Sequence, residues 1–305
     1  MICAKEGRGA LGLLKYMPPK VYGALGRMAV SQLLKLEELR FTAEKPLVAV
    51  NGEGCFYVDF CGNLVERSKD GVVILKQEID ELFRLLCDGS VYAVEENIKN
   101  GYITAAGGHR VGICGTYLFR NGKIEAVREI SGINIRIAHE ITGVAEGIAG
   151  LIADNSVAST LIVSPPGGGK TTMLRDICRI LGGDGYSYRV AVADERGEIA
   201  AMYKGKCTNN VGNLTCVIDG CPKNIAMEML LRSMGPDVVI TDEIGNGGDE
   251  QAIKKLLCCG VKVIASAHGK NFEDIKKRMP FCVDLFEKII IMDKKEICEV
   301  IDVGV

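Results

Sequence analysis

The chain has no tryptophan, and its 305 residues include only 3 histidines and 8 prolines. Aromatic side chains make up 6% of it. Grooves for single-stranded nucleic acid stack bases on aromatic rings set among basic side chains, and no segment here interleaves the two, so nucleic acid is not an expected partner. Charge of one sign is also missing: 37 Lys and Arg stand against 39 Asp and Glu, a net of −2. Such a chain has no global attraction for a polyanion or an acidic membrane surface. No apolar run approaches the roughly eighteen residues of a transmembrane helix. Met1-Ile2-Cys3-Ala4-Lys5-Glu6 leads into no long apolar stretch before Lys15, so no export signal is expected. Cysteine, by contrast, is abundant. The 13 thiols are odd in number and form no C-x-x-C pair. The nearest approach to a ligand spacing, Cys207, Cys216 and Cys221, has no histidine beside it. Reduced, mostly buried thiols of a cytosolic protein are the better reading.

Hydrophobic content of 48% and charged content of 25% suit a globular chain long enough for two domains. We expect an α+β domain over 1–145 and an α/β domain over 146–305. In the first, Val21–Leu36 carries apolar residues at helical spacing. Leu47–Val50 and Phe56–Phe60 read as strands joined by Asn51-Gly52-Glu53-Gly54. Glu78–Leu86 and Val91–Ile98 read as helices, Asn121-Gly122 as a hairpin turn, and Ser131–Ile137 as a closing strand. In the second half, strands at Leu161–Val163, Tyr188–Ala193, Asp237–Thr241, Val261–Ser266 and Lys288–Met292 alternate with helices. That order implies a mostly parallel sheet covered by helices on both faces, with ligands at the carboxyl ends of its strands.

The most informative stretch ends the first of those strands: Ser164-Pro165-Pro166-Gly167-Gly168-Gly169-Lys170-Thr171-Thr172, followed at once by a helical pattern. Strand, glycine-rich loop, Lys-Thr and helix together form a Walker A phosphate-binding loop. The glycines let successive N–H groups turn inward, and the helix N-terminus adds its partial positive charge. Lys170 reaches the β- and γ-phosphates of ATP, and the Thr171 hydroxyl is placed to ligate Mg²⁺. Ser164 stands where the usual pattern has its first glycine.

Three further strand ends carry polar residues: Asp194-Glu195-Arg196-Gly197-Glu198, Asp242-Glu243 and His268. An apolar strand ending in Asp-Glu is a Walker B arrangement, with Asp242 on the metal and Glu243 polarising the attacking water. Glu195 and Glu198 compete with Glu243 as base, and Asp194 is a candidate to assist with the metal. His268 is a candidate sensor of the γ-phosphate or a link to a neighbouring subunit. Arg110, Arg136, Arg196 and Arg232 are candidates for transition-state charge, supplied in trans from a neighbouring copy.

These segments, with Arg232-Ser233-Met234-Gly235-Pro236-Asp237, Gly107-Gly108-His109-Arg110-Val111-Gly112 and Asn134-Ile135-Arg136-Ile137-Ala138, resemble the stage III sporulation AA family. That family is similar to the hexameric ATPases of type II and type IV secretion systems. The resemblance implies a RecA-like P-loop core, ATP and Mg²⁺ as cofactors, and a homo-oligomer, as a hexamer. It implies a cytoplasmic position on the mother-cell side, at membrane proteins of a sporulation channel. It also makes Asp194–Glu198 an acidic box, sets His268 in a His box, and brings Arg110 and Arg136 toward the phosphates. The secretion relatives have Gly-Glu where this chain has Asp242-Glu243, which leaves the base open. A nucleic-acid-stimulated ATPase of the same fold and a nucleotide-gated scaffold with little hydrolysis are the alternatives.

Overall fold

Residues 10–87, 102–120, 122–139, 141–153, 156–183, 185–245 and 247–303 are described by a computed structural model. The expected helix Val91–Ile98 lies outside them. The chain divides into two units, Met1–Glu140 and Ile141–Val305.

In the first unit the expected helix over Val21–Leu36 does not form as one element. The chain is helical from Pro19 to Leu25 and then breaks at Gly26, whose N–H returns to the Tyr22 carbonyl at 2.8 Å. One further turn, Val30–Leu33, precedes strand β1, Leu36–Thr42. Leu36, Leu39 and Phe41 of that strand are buried, so burial in the sheet overrides the helical spacing. Strands β2 (Val48–Asn51), β3 (Gly54–Val58), β4 (Leu64–Val65), β5 (Tyr102–Ala105), β6 (His109–Arg120) and β7 (Lys123–Arg136) complete the sheet. Its order is β4-β3-β2-β1-β7-β6-β5, every pair antiparallel. The helix Lys76–Leu86 covers one face with Ile79, Leu82 and Leu86, spaced three and four apart as a helix face requires. The Leu75 N–H donates to the Glu78 carboxylate at 2.7 Å and fixes the start of that helix.

The second unit is a doubly covered sheet. Its strands are β8 (Thr160–Ser164), β9 (Val190–Asp194), β10 (Thr215–Asp219), β11 (Val238–Thr241), β12 (Lys262–His268), β13 (Lys288–Asp293) and β14 (Glu296–Asp302). Their order is β10-β9-β11-β12-β8-β13-β14, parallel except for the last pair. Every residue of β8, β9 and β11 is buried. Leu161, Val163 and Val239 pack into one core layer, whereas Ile162, Val238 and Ile240 pack into the other. These two-sided strands therefore read as continuous apolar runs rather than as alternation. Sequence periodicity does not single out β10, a half-buried edge strand, or β14, which has no fully buried position.

After β8 the chain leaves through the helix Lys170–Leu181 and re-enters the sheet at β9, beyond β12 and β11. Such a change of direction opens a crevice at the carboxyl edge. The stretch 141–145 is pinned to the same helix, where the Ala145 N–H donates to the buried Asp176 carboxylate at 2.8 Å. No helix among the described residues is long and apolar enough to cross a membrane.

Candidate nucleotide site

A cavity of about 510 Å³ opens at that edge, with Lys170, Thr171, Thr172, Glu198, Glu243 and His268 among its walls. The loop from Ser164 to Gly169 curls because Gly167 and Gly169 take φ of 75° and 93°, values that L side chains rarely adopt. Gly168 is required for a different reason. A Cβ there would lie 2.4 Å from Ser164 Oγ, so the serine at the loop entrance is tolerated only beside a residue with no side chain. Pro165 and Pro166 stiffen the entry, and the Ser164 hydroxyl donates to the Pro165 carbonyl at 3.0 Å.

Lys170 is buried, and its Nζ folds back on the loop. It donates to the carbonyls of Ser164 and Pro165 at 3.0 and 3.1 Å and to His268 Nδ1 at 3.1 Å. Burial pulls the ammonium below the ordinary lysine value, against the opposing charge of Glu243. A lysine can only donate, so Nδ1 of His268 is the acceptor and Nε2 carries the proton. That Nε2 lies 2.9 Å from Glu243 Oε1. The other Glu243 oxygen accepts from Arg196 at 2.5 Å. Lys170, His268, Glu243 and Arg196 thus form one line of side chains drawn from three strand ends and the loop.

Glu243 is held by its backbone as well. Its φ is 41°, its N–H donates to Ser266 Oγ at 3.0 Å, and its carbonyl accepts from Lys223 at 3.1 Å. A non-glycine residue in left-handed backbone is strained and commonly marks a functional position. Beside it Asp242 is 1% exposed, and its Oδ1 has no hydrogen-bond partner. Burial, above all, pushes this carboxyl up to about 6. Lys223 opposes the shift, and Asp194, Glu198 and Glu243 add to it. A buried carboxylate oxygen without a partner is costly. That oxygen and the Thr171 hydroxyl, which lines the cavity, are both hard-oxygen donors of the kind Mg²⁺ takes when phosphates supply further ligands, so their chemistry fits the ion.

The acidic box divides its labour. Asp194 is buried and accepts from the N–H groups of Glu198, Ile199 and Ala200 at 2.9, 3.1 and 2.8 Å, which shapes the loop. The Glu195 carboxylate turns to Lys223 at 3.4 Å, at the N-terminus of the helix Lys223–Met234. Only Glu198 of the three lines the cavity, and Arg175 grips its carbonyl at 2.7 Å from the P-loop helix. Arg196, a sequence candidate for charge in trans, instead pairs with Glu243 of its own chain, and Arg232 pairs with Glu228 at 3.2 Å. Arg110 and Arg136 belong to the first unit, where they face each other across β6 and β7. Arg110 lies over the Tyr102 ring at 4.2 Å, and Arg136 is 3.6 Å from Glu38. Sequence reasoning missed Lys223, Ser266 and Lys295. No motif marks the first two, because they act through long-range contacts, Ser266 with Glu243 and Lys223 with both Glu195 and Glu243.

The charge on Asp242 leads to a measurable expectation. Its folded value, about 6, is above the ordinary 3.8, so the folded chain binds the proton more tightly than the unfolded one. Stability therefore falls as pH rises from about 4 to about 6, and the loss is complete above that window. A tenfold change in proton affinity corresponds to about 1.4 kcal/mol, which bounds this loss at about 3 kcal/mol. Asp242→Asn keeps the shape without the charge. In the absence of Mg²⁺ and nucleotide it should melt higher than wild type at neutral pH, with the difference vanishing below about pH 4. Equal or lower melting at neutral pH would remove the buried-charge reading.

Comparison with known proteins agrees with this geometry. The chain matches the family described as sporulation stage III, protein AA, over residues 19–302. It is 35% identical over 269 residues to stage III sporulation protein AA of Bacillus subtilis, covering 87% of this chain and 84% of that protein. Among solved structures it is similar to the Legionella pneumophila ATPase DotB, with a TM-score of 0.53 and 12% identity over 86% of this chain and 73% of that one. It is equally similar to the pilus retraction motor PilT solved with bound ADP, with a TM-score of 0.54 and 12% identity over 85% and 74%. These likenesses establish the expected P-loop α/β fold, and the match over both units places the chain in a family: it belongs to the sporulation stage III protein AA family.

Proposed function

We propose that the chain hydrolyses ATP to ADP and phosphate with Mg²⁺, as a homo-oligomeric ring, hexameric as the family resemblance implies. The energy would drive a membrane channel or secretion-like apparatus between mother cell and forespore during sporulation. The observation that carries this reading is the line Lys170–His268–Glu243–Arg196, with the buried Asp242 next to Glu243 in the chain and its Oδ1 unpartnered. A lysine for the outer phosphates, a hydroxyl and a carboxylate for the ion, and a second carboxylate for water are the parts phosphoryl transfer needs.

Loop N–H groups and Lys170 would hold the β- and γ-phosphates. Thr171 and Asp242 would hold Mg²⁺, which when bound neutralises charge developing on the phosphate oxygens. The Glu243 carboxylate would orient the attacking water and take its proton at Oε1 or Oε2. It is linked through His268 alone to the amine that would meet the γ-phosphate, whereas Glu198 has no such link among the described residues. Arg110 and Arg136 of a neighbouring copy would stabilise the transition state, a contribution worth about 10³–10⁵ in rate where an arginine acts this way.

Mass and ATPase rate measured together across protein concentration test the ring. The specific rate should rise with assembly, and added DNA should leave it unchanged. A rate independent of assembly would count against composite sites, and strong stimulation by DNA would favour the nucleic-acid alternative.

A further inference from the structure

Strands β13 and β14 pair out to Asp293 and Glu296, which leaves Lys294 and Lys295 as a two-residue hairpin loop. Both lysines have positive φ, 45° and 72°. A loop of this length and hand is normally built from Asn-Gly or another pair that takes left-handed backbone without strain. Two lysines are an unfavourable choice for the turn itself, and strain of this kind persists where function requires the side chain.

The Lys295 stem lies on the phosphate-binding loop. A Cβ built on Gly169 would be 3.4 Å from Lys295 Cγ and 3.7 Å from its Cα. Lys295 also lines the same cavity as Lys170 and Thr171. Among the described residues no ion pair or hydrogen bond engages the Lys295 side chain, and the flanking Asp293 and Glu296 do not pair with it. Lys170, by contrast, is the only other lysine among the described residues lining this cavity, and it is already bonded to loop carbonyls and His268. A triphosphate brings several negative charges, and charge-assisted contacts to phosphate are the strong ones.

We propose that Lys295 is a second nucleotide-contacting cation. The strained hairpin presents its ammonium to a phosphate of the nucleoside di- or triphosphate held over Gly169. This deepens the ATP reading of the phosphate-binding loop and rests on it.

The test measures affinity of the full chain for ADP and for a non-hydrolysable ATP analogue by calorimetry. Lys295→Met keeps the aliphatic stem on Gly169 and removes only the charge; affinity should fall about tenfold or more. Lys295→Arg should recover most of it. Lys294→Met, a change of the same charge in the same turn, should stay within about twofold of wild type. Replacing the pair by Asn-Gly (Lys294→Asn with Lys295→Gly) should raise the melting temperature of the nucleotide-free chain while weakening binding, because strain is relieved as the contact is lost. Unchanged affinity in Lys295→Met, or equal losses in Lys295→Met and Lys294→Met, would overturn the proposal. Failure of the ATP reading looks different: wild type would bind neither nucleotide, or Lys170→Ala would bind both as tightly as wild type, and either result would overturn both.

Discussion

Glu243→Gln is expected to bind ATP with near wild-type affinity and to hydrolyse it about 10²–10⁴-fold more slowly, the usual cost of losing a general base. The substitution preserves shape, and the Gln carbonyl can still accept from His268 Nε2, which lies 2.9 Å from the native carboxylate. Only the proton acceptor and the partner of Arg196 are lost. Single-turnover experiments should therefore trap ATP unhydrolysed in the purified variant. Glu198→Gln is the matched control, since Glu198 lines the same cavity. If Glu198→Gln traps the nucleotide while Glu243→Gln stays active, the acidic box supplies the base and the strained Glu243 backbone serves another purpose.

Lys170→Ala is expected to weaken nucleotide binding by roughly 10²–10³-fold, or about 3–4 kcal/mol, from two charge-assisted phosphate contacts. Folding should survive the change. The Lys170 ammonium is destabilised by its own burial, and without nucleotide its hydrogen bonds are to carbonyls and an imidazole. A melting temperature close to wild type with binding lost would separate the site from the scaffold. Retained binding would remove the phosphate-loop argument altogether.

What could be read in the chain beforehand follows from how local each signal is. The phosphate-binding loop and the strands β8, β9, β11 and β12 were legible because two-sided burial writes continuous runs of apolar and small residues, and glycines mark the sharp turn. The helix expected over Val21–Leu36 failed because Leu33, Leu36 and Leu39 recur at helical spacing, whereas β1 buries both Leu36 and Leu39 through a register shift between Leu36 and Glu38 where it pairs with β2, a long-range contact that local spacing does not signal. The line through the site was not legible. Its contacts join residues 98 and 47 positions apart, and nothing at Arg196 indicates that its partner is Glu243 of the same chain. Glu195 and Glu198 looked interchangeable in sequence. Lys223 claims Glu195, and backbone N–H groups claim the neighbouring Asp194, a division that only the folded loop reveals.

The last strand has a bearing on solubility. β14 places Glu296, Glu299 and Asp302 along the rim of the sheet, and Lys288 is ion-paired to Asp302. An outer strand with acidic residues along it repels a second sheet that would otherwise add to its open hydrogen bonds. It shields Ile289, Ile290, Ile291 and Met292, all buried one strand further in. Without them the sheet would carry an aggregation-prone segment at its margin, and these carboxylates act there as gatekeepers.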